Sequence, residues 1–278
     1  MVASKLAPAG TPSGEAGPTG SDGDKVTVDA AGTDATTEAS DTKSNPPGEE
    51  GKHVKFEHVP MPADAMLARS DRFLRLMNLR RSVRFFDSKK LIPDGVLERC
   101  IMTAGTAPSG AHIQPWTFVV VKSQAKKDAI RALIEAKEAE NYAGRMQAQW
   151  VGHVRGLVDA MHGTAAGEAV RKPYLSEAPA LVCVMMHRST PSSPVYYGME
   201  SVGIATGMLI SALQNVGLCT LTSTPLGADA EIRKVLGRPE KEKVFVVMPV
   251  GFASEGCTVP YRSEKELRKS QKKVMVEA

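Results

Sequence analysis

Arg80, Arg81, Ser82, Val83 and Arg84 place three guanidinium groups and a hydroxyl within five residues. No acid follows until Asp87, so the sequence supplies no close neutralising neighbour. A guanidinium is a planar, permanently charged fork of donors that matches phosphate oxygens. A serine hydroxyl and adjacent backbone N–H groups complete such a cradle. Taken alone, the run better describes a solvated helix end, where cations suit the dipole. A second stretch runs from Ala107 to Trp116, APSGAHIQPW. Two prolines and a glycine exclude helix there and leave backbone N–H groups for other partners. In a third stretch, Glu135, Glu138, Tyr142 and Arg145 fall at i, i+3, i+7 and i+10, on one side of a helix. Lys172 follows in the run Arg171, Lys172, Pro173, Tyr174.

The elements that must position these residues follow from periodicity. Met66, Leu67, Phe73, Leu74, Leu76 and Met77 predict a helix over 63–78 that delivers the arginines at its C-terminal end. A second helix is expected from after Pro93 to about Thr106, with Val96, Leu97, Cys100 and Ile101 inward and Asp94 as its cap. Strands are expected at 117–122, 180–186, 219–224 and 244–252. Pro249 within the last implies an edge strand or a strand end. Residues 124–150 read as a long polar helix, and 151–175 as a weakly helical, mobile cover. The stretch 196–216 is apolar on most sides, which predicts a helix buried at a subunit interface. A short helix is expected over 230–236, then a basic tail from Thr258. The alternation gives an α/β layered fold with one sheet.

Composition narrows the function classes. Of 278 residues, the first 52 hold four lysines against nine acids, a net of −5, and the remainder carries +9. Residues 1–52 contain no aromatic side chain and are expected to be a disordered acidic tail ahead of a single domain over 53–278. A basic domain attracts anionic ligands. Its bases are not interleaved with aromatics as in single-strand binders, so nucleic acid is not the expected partner. Cys100, Cys183, Cys219 and Cys257 form no CxxC pair, and neither a metal site nor a disulfide framework is expected. No apolar run reaches the roughly 20 residues of a membrane span, and without an apolar stretch near residue 1 no secretory signal is expected. The expectation is a soluble cytoplasmic protein.

RRSVR at 80–84, APSGAHIQPW at 107–116 and STPLG at 223–227, with LGRP at 236–239 and PVGF at 249–252, resemble the FMN-dependent nitroreductase superfamily. Within it the chain is most similar to the iodotyrosine deiodinase (halotyrosine dehalogenase) branch, over roughly residues 65–260. The resemblance implies an α+β fold, a central mixed sheet flanked by helices, a domain-swapped homodimer with sites across the interface, and a lid over about 131–175. By the same resemblance Arg80, Arg81, Ser82 and Arg84 hold the FMN phosphate, and Pro108, Ser109 and Gly110 line the flavin. Thr222, Ser223 and Thr224 lie by the ring, with the Thr224 hydroxyl near N5. The Ala111 N–H donates to a substrate phenolate. Glu138, Tyr142 and Lys172 match the trio that grips the halotyrosine zwitterion: an ammonium needs a carboxylate, and a carboxylate needs an ammonium and a hydroxyl. The implied activity is reductive dehalogenation of mono- and diiodotyrosine to tyrosine and halide, with electrons from NADPH directly or through a reductase partner. The alternatives are a general nitro- or quinone reductase and a flavin and halotyrosine-binding protein without turnover. Three positions depart from the pattern: Ser223 replaces a threonine, Pro173 follows Lys172, and Glu264 falls where a basic residue completes the phosphate site, leaving Arg262, Lys265 or Arg268 as substitutes.

Overall fold

The computed structural model describes residues 55–144, 171–225 and 227–261, with the backbone alone for 142–144. The tail over 1–52, residues 145–170 of the expected lid and the basic candidates beyond 261 lie outside the described residues. The chain divides into two units, Met1–Val59 and Pro60–Ala278. In the first, residues 55–59 are exposed and carry no regular structure.

The second unit is built on one sheet, with strands β1 (Trp116–Val121), β2 (Ala180–His187), β3 (Cys219–Thr220) and β4 (Glu242–Gly251) in the order β1-β2-β4-β3. The strand pairings are antiparallel. The mixed character resides in a parallel bridge from Ser82 to Thr220. Side chains on β2 alternate between two cores. Leu181, Cys183 and Met185 face one, and Ala180, Val182 and Val184 face the other. A register shift after Val184 inserts one residue on β4, which keeps Val244 and Val247 on the same face.

Helices cover both faces. The first core is closed by α3 (Gln124–Gly144) through Ile130 and Ile134, by the one-turn α4 (Tyr174–Glu177), and by α6 (Asp229–Val235) through Ile232. The second is closed by α2 (Val96–Gly105), which inserts Leu97, Cys100 and Ala104, and by α5 (Gly198–Asn215), which inserts Val202, Ala205, Leu209 and Leu213. Each fully buried leucine removes enough apolar surface for about 2 kcal/mol. Outermost lies α1 (Ala63–Leu79), which packs on α5 and buries no residue of its own.

Two expectations are corrected. Asp94 does not cap α2. Gly95 occupies the N-cap at φ +78, and no side chain caps the helix. The third strand stops at Thr220 instead of Thr224. The register that pairs Cys219 with Gly251 and Ser223 with Val247 would place Leu221 opposite Pro249, which has no N–H to donate. The Thr220 hydroxyl donates to the Pro249 carbonyl at 2.8 Å, and the ladder resumes only at Ser223. Pro249 therefore sits near the end of a central strand, not on an edge strand. Within the chain, α5 is buried on one side. Ile204, Gly207, Met208 and Ser211 line an apolar groove of about 560 Å³ with Phe73 of α1 and Cys100 of α2. No helix among the described residues is long and apolar enough to cross a membrane.

Candidate functional site

The arginine cluster begins where α1 ends. Arg80 is extended at φ −65, ψ 127, and its N–H donates to Met77 O at 3.1 Å. From there the chain runs beside β3: the Val83 N–H donates to Thr220 O at 3.2 Å, and Val83 and Phe86 enter the core. Arg80 and Arg81 line a cavity of about 280 Å³ with Gln214, Gly217 and Thr220. Arg81 also donates to the Pro260 carbonyl, which fastens residues 257–260 against this cavity. Ser82 is exposed beside them, and Arg84 is half-buried and engaged.

The loop at 107–116 is strained at its tip. Ala111, His112 and Gln114 have φ of +50, +55 and +51, conformations that cost a side-chain-bearing residue about 1–2 kcal/mol each. Surrounding bonds hold them there. Ser109 Oγ accepts from the Gln114 N–H at 2.9 Å, Ser201 Oγ from the Gly110 N–H at 3.3 Å, and Pro115 O from the His187 N–H at 2.9 Å. Trp116 anchors the exit in the second core. Gly110 has no room for a side chain, since a Cβ would meet Tyr196 O and Tyr197 Cδ2 at 2.9 Å each. The Ala111 N–H has no acceptor among the described residues, and Ala111 is exposed with Pro108. Such strain concentrates where a backbone group must be presented.

Past β3, Thr222 and Thr224 are exposed and Ser223 is buried, bonded to Val247 in both directions at 2.9 and 2.8 Å. The two threonines share the outward side and the serine faces the opposite way, as strand alternation requires.

Glu138 and Lys172 meet in the interior. Lys172 Nζ lies 2.9 Å from Glu138 Oε1 and donates to Tyr174 Oη at 3.1 Å. Glu138 is 4 % exposed, Lys172 9 % and Tyr174 4 %. Burial opposes the Lys172 ammonium, but the Tyr174 oxygen and the Glu138 carboxylate outweigh it and hold its pKa above the ordinary lysine range. Glu135, paired with Arg131 at 2.8 Å, accepts from the backbone N–H of Lys172. Tyr142 lies on α3 one turn beyond Glu138, but its side chain and Arg145 are outside the described residues.

These groups are not all gathered within one chain. Gly110 bonds to Ser201 in the first turn of α5, whereas Gln214 in its last turn donates to Leu76 O and lines the arginine cavity. The thirteen-residue step from Ser201 to Gln214 corresponds to about 20 Å of helix. Two features escaped the sequence reading. Tyr174 was read only as part of the cover, although its position two residues after Lys172 marks it as a partner. Glu242, buried under β1, accepts from Arg238 at 2.6 and 2.8 Å and from Thr117 at 3.2 Å, with His187 3.9 Å away. Nothing in the sequence spacing of Thr117, His187 and Glu242 announces that meeting. Among the described residues no group of His, Cys, Asp and Glu is placed to hold a metal.

The chain matches the nitroreductase family over residues 78–252. It is 42% identical over 221 residues to iodotyrosine deiodinase 1 of Mus musculus, covering 78% of this chain and 74% of the relative. It is 41% identical over 209 residues to iodotyrosine deiodinase of Hydra vulgaris, covering 73% of each. Among solved structures it is similar to oxidized iodotyrosine deiodinase bound to FMN and 3-iodo-L-tyrosine, with a TM-score of 0.57 and 30% identity over 69% of this chain and 95% of that one.

Proposed function

Because the chain belongs to the nitroreductase family and, within it, to the iodotyrosine deiodinases, we propose that it binds FMN and reductively dehalogenates mono- and diiodotyrosine, with electrons derived from NADPH. In the overall change two electrons and a proton replace iodide with hydrogen on the ring. The flavin, when bound, supplies the electron transfer. The chain supplies binding, orientation and water exclusion. Arg80, Arg81, Ser82 and Arg84 carry the donor set for a phosphate, and Arg80 and Arg81 border a cavity with Gln214 and Thr220. Pro108, Ser109 and Gly110 are assigned to the flavin ring, on a loop that Tyr196 and Tyr197 back closely at Gly110. Thr222 and Thr224 present hydroxyls, and the Thr224 hydroxyl is assigned to flavin N5. The Ala111 N–H is held in position to donate to a phenolate.

The observation that carries this reading over a general nitro- or quinone reductase is the buried Glu138–Lys172 pair. A nitroarene has no use for it. An amino-acid zwitterion needs one group of each sign, with Tyr142 on the same helix as a hydroxyl donor. The 20 Å between the arginine cavity and the Gly110 loop supports a second copy as part of each site. Two α5 helices packed antiparallel through the open Ile204–Met208 groove would bring the arginine end of one chain to the loop end of the other. That groove and the half-exposed Phe73 and Leu74 of α1 are the surface such a partner would cover.

The test is anaerobic. The flavin-loaded protein is reduced, diiodotyrosine is added, and flavin reoxidation is followed together with iodide. Stoichiometric iodide is the expected result. Rapid reduction of a nitroarene with no iodide from diiodotyrosine would replace this reading with the general reductase.

A further inference from the structure

We propose that Tyr174 is a positioning residue for substrate selection: its hydroxyl keeps the Lys172 ammonium aimed at the ligand carboxylate when Glu138 turns to the ligand ammonium. This rests on the amino-acid grip proposed above. Lysine is a flexible point charge with three rotatable donors. Here it is clamped at both ends. Its backbone N–H is bound by Glu135, itself tethered by Arg131, and Pro173 follows with φ −55 at the start of α4. Its ammonium has three N–H donors and, among the described residues, two acceptors, Glu138 Oε1 and Tyr174 Oη; under the proposal the third donor goes to the ligand carboxylate.

The two acceptors differ in what a ligand does to them. A ligand ammonium competes for the Glu138 carboxylate, since both cations seek the same charge. A ligand ammonium favours that carboxylate over the neutral Tyr174 hydroxyl, which is fixed because its ring is packed in the first core with Leu175 and Leu181. Without that hydroxyl, the exchange at Glu138 would leave a desolvated ammonium with no fixed acceptor. A phenol that lacks the amino-acid group would not draw on the device at all.

The test measures calorimetric affinity of the flavin-loaded full chain for two probes, 3-iodotyrosine and 2-iodophenol. Tyr174→Phe retains the ring and removes only the hydroxyl. It is expected to weaken 3-iodotyrosine about tenfold, the scale of one hydrogen bond to a charged group, while changing 2-iodophenol by less than about twofold. Added to Lys172→Met, it is expected to cost nothing more. The ratio of the two affinities on the flavin-loaded fraction does not depend on how much of the variant folds. Glu138→Gln separates the two levels. If it weakens 3-iodotyrosine but Tyr174→Phe does not, or if Tyr174→Phe weakens both probes equally, the positioning role is wrong. If Glu138→Gln itself leaves 3-iodotyrosine affinity untouched, the amino-acid grip is wrong and the proposal goes with it.

Discussion

Breaking the Glu138–Lys172 pair from either side should cost far more than removing it whole. At 2.9 Å the gross attraction is about 6 kcal/mol for an effective dielectric of about 20. Taking both ions out of water consumes most of that, so the pair contributes little net stability. Removing one partner is different, because the other charge stays buried. The usual cost is about 3–5 kcal/mol. Lys172 keeps the Tyr174 hydroxyl as an acceptor, so Glu138→Gln should fall at the lower end, about 3 kcal/mol. Lys172→Met keeps the stem's volume but strands the carboxylate, at a similar cost. In a folded unit of this size each single change should lower Tm by about 6–12 °C. The double variant should lose at least about 3 kcal/mol less than the sum of the singles. Thermal and urea unfolding of the four proteins at neutral pH measures this cycle. Additive losses, or single variants that melt with the wild type, would show that the two charges do not meet in the interior.

Three further outcomes are expected. Arg80→Ala should lower FMN affinity about 10–100-fold by removing a charge-assisted contact, read as flavin absorbance retained after gel filtration, with the ratio of halotyrosine to nitroarene turnover in the loaded fraction unchanged. Gly110→Ala forces a methyl within 2.9 Å of Tyr196 O, so the loop must move; halotyrosine kcat/KM should fall at least about tenfold with the phosphate contact intact. Arg238 bonded to Glu242 holds that carboxyl below the ordinary glutamate value near 4.5, so the folded state gives up this proton more readily than the unfolded chain. Its stabilisation is present above pH 4.5 and is lost as pH falls through the lower folded value. The Tm difference between wild type and Glu242→Gln should therefore be largest near neutrality and shrink below about pH 4.

Much of this molecule is legible in its sequence because local chemistry decides it. β2 is an unbroken apolar run and becomes a central strand covered on both faces. The spacing of Leu97, Cys100 and Ala104 gives α2 its buried face. The arginine run and the Pro-Gly loop announce themselves by composition. What escapes is set by partners far away in the chain. Pro249 marks a break in pairing, but sequence does not say which neighbour lacks its donor. Ala111 and Gln114 are ordinary residue types in left-handed backbone, held there by Ser109, Ser201 and His187. Glu138 on a polar helix reads as a solvated charge until the segment leading into α4 lays Lys172 against it.

One helix, α5, has the arginine cavity at one end and the strained loop at the other, which under the proposed pairing separates the unit of inheritance from the unit of activity. In the paired arrangement proposed above, a chain damaged at the arginine end still lends a sound loop to its partner. A chain damaged at the loop still lends sound arginines. Two such defective chains, assembled together, rebuild one whole centre and collect both lesions in the other. Lesions at opposite ends of α5 would then complement each other, and lesions at the same end would not.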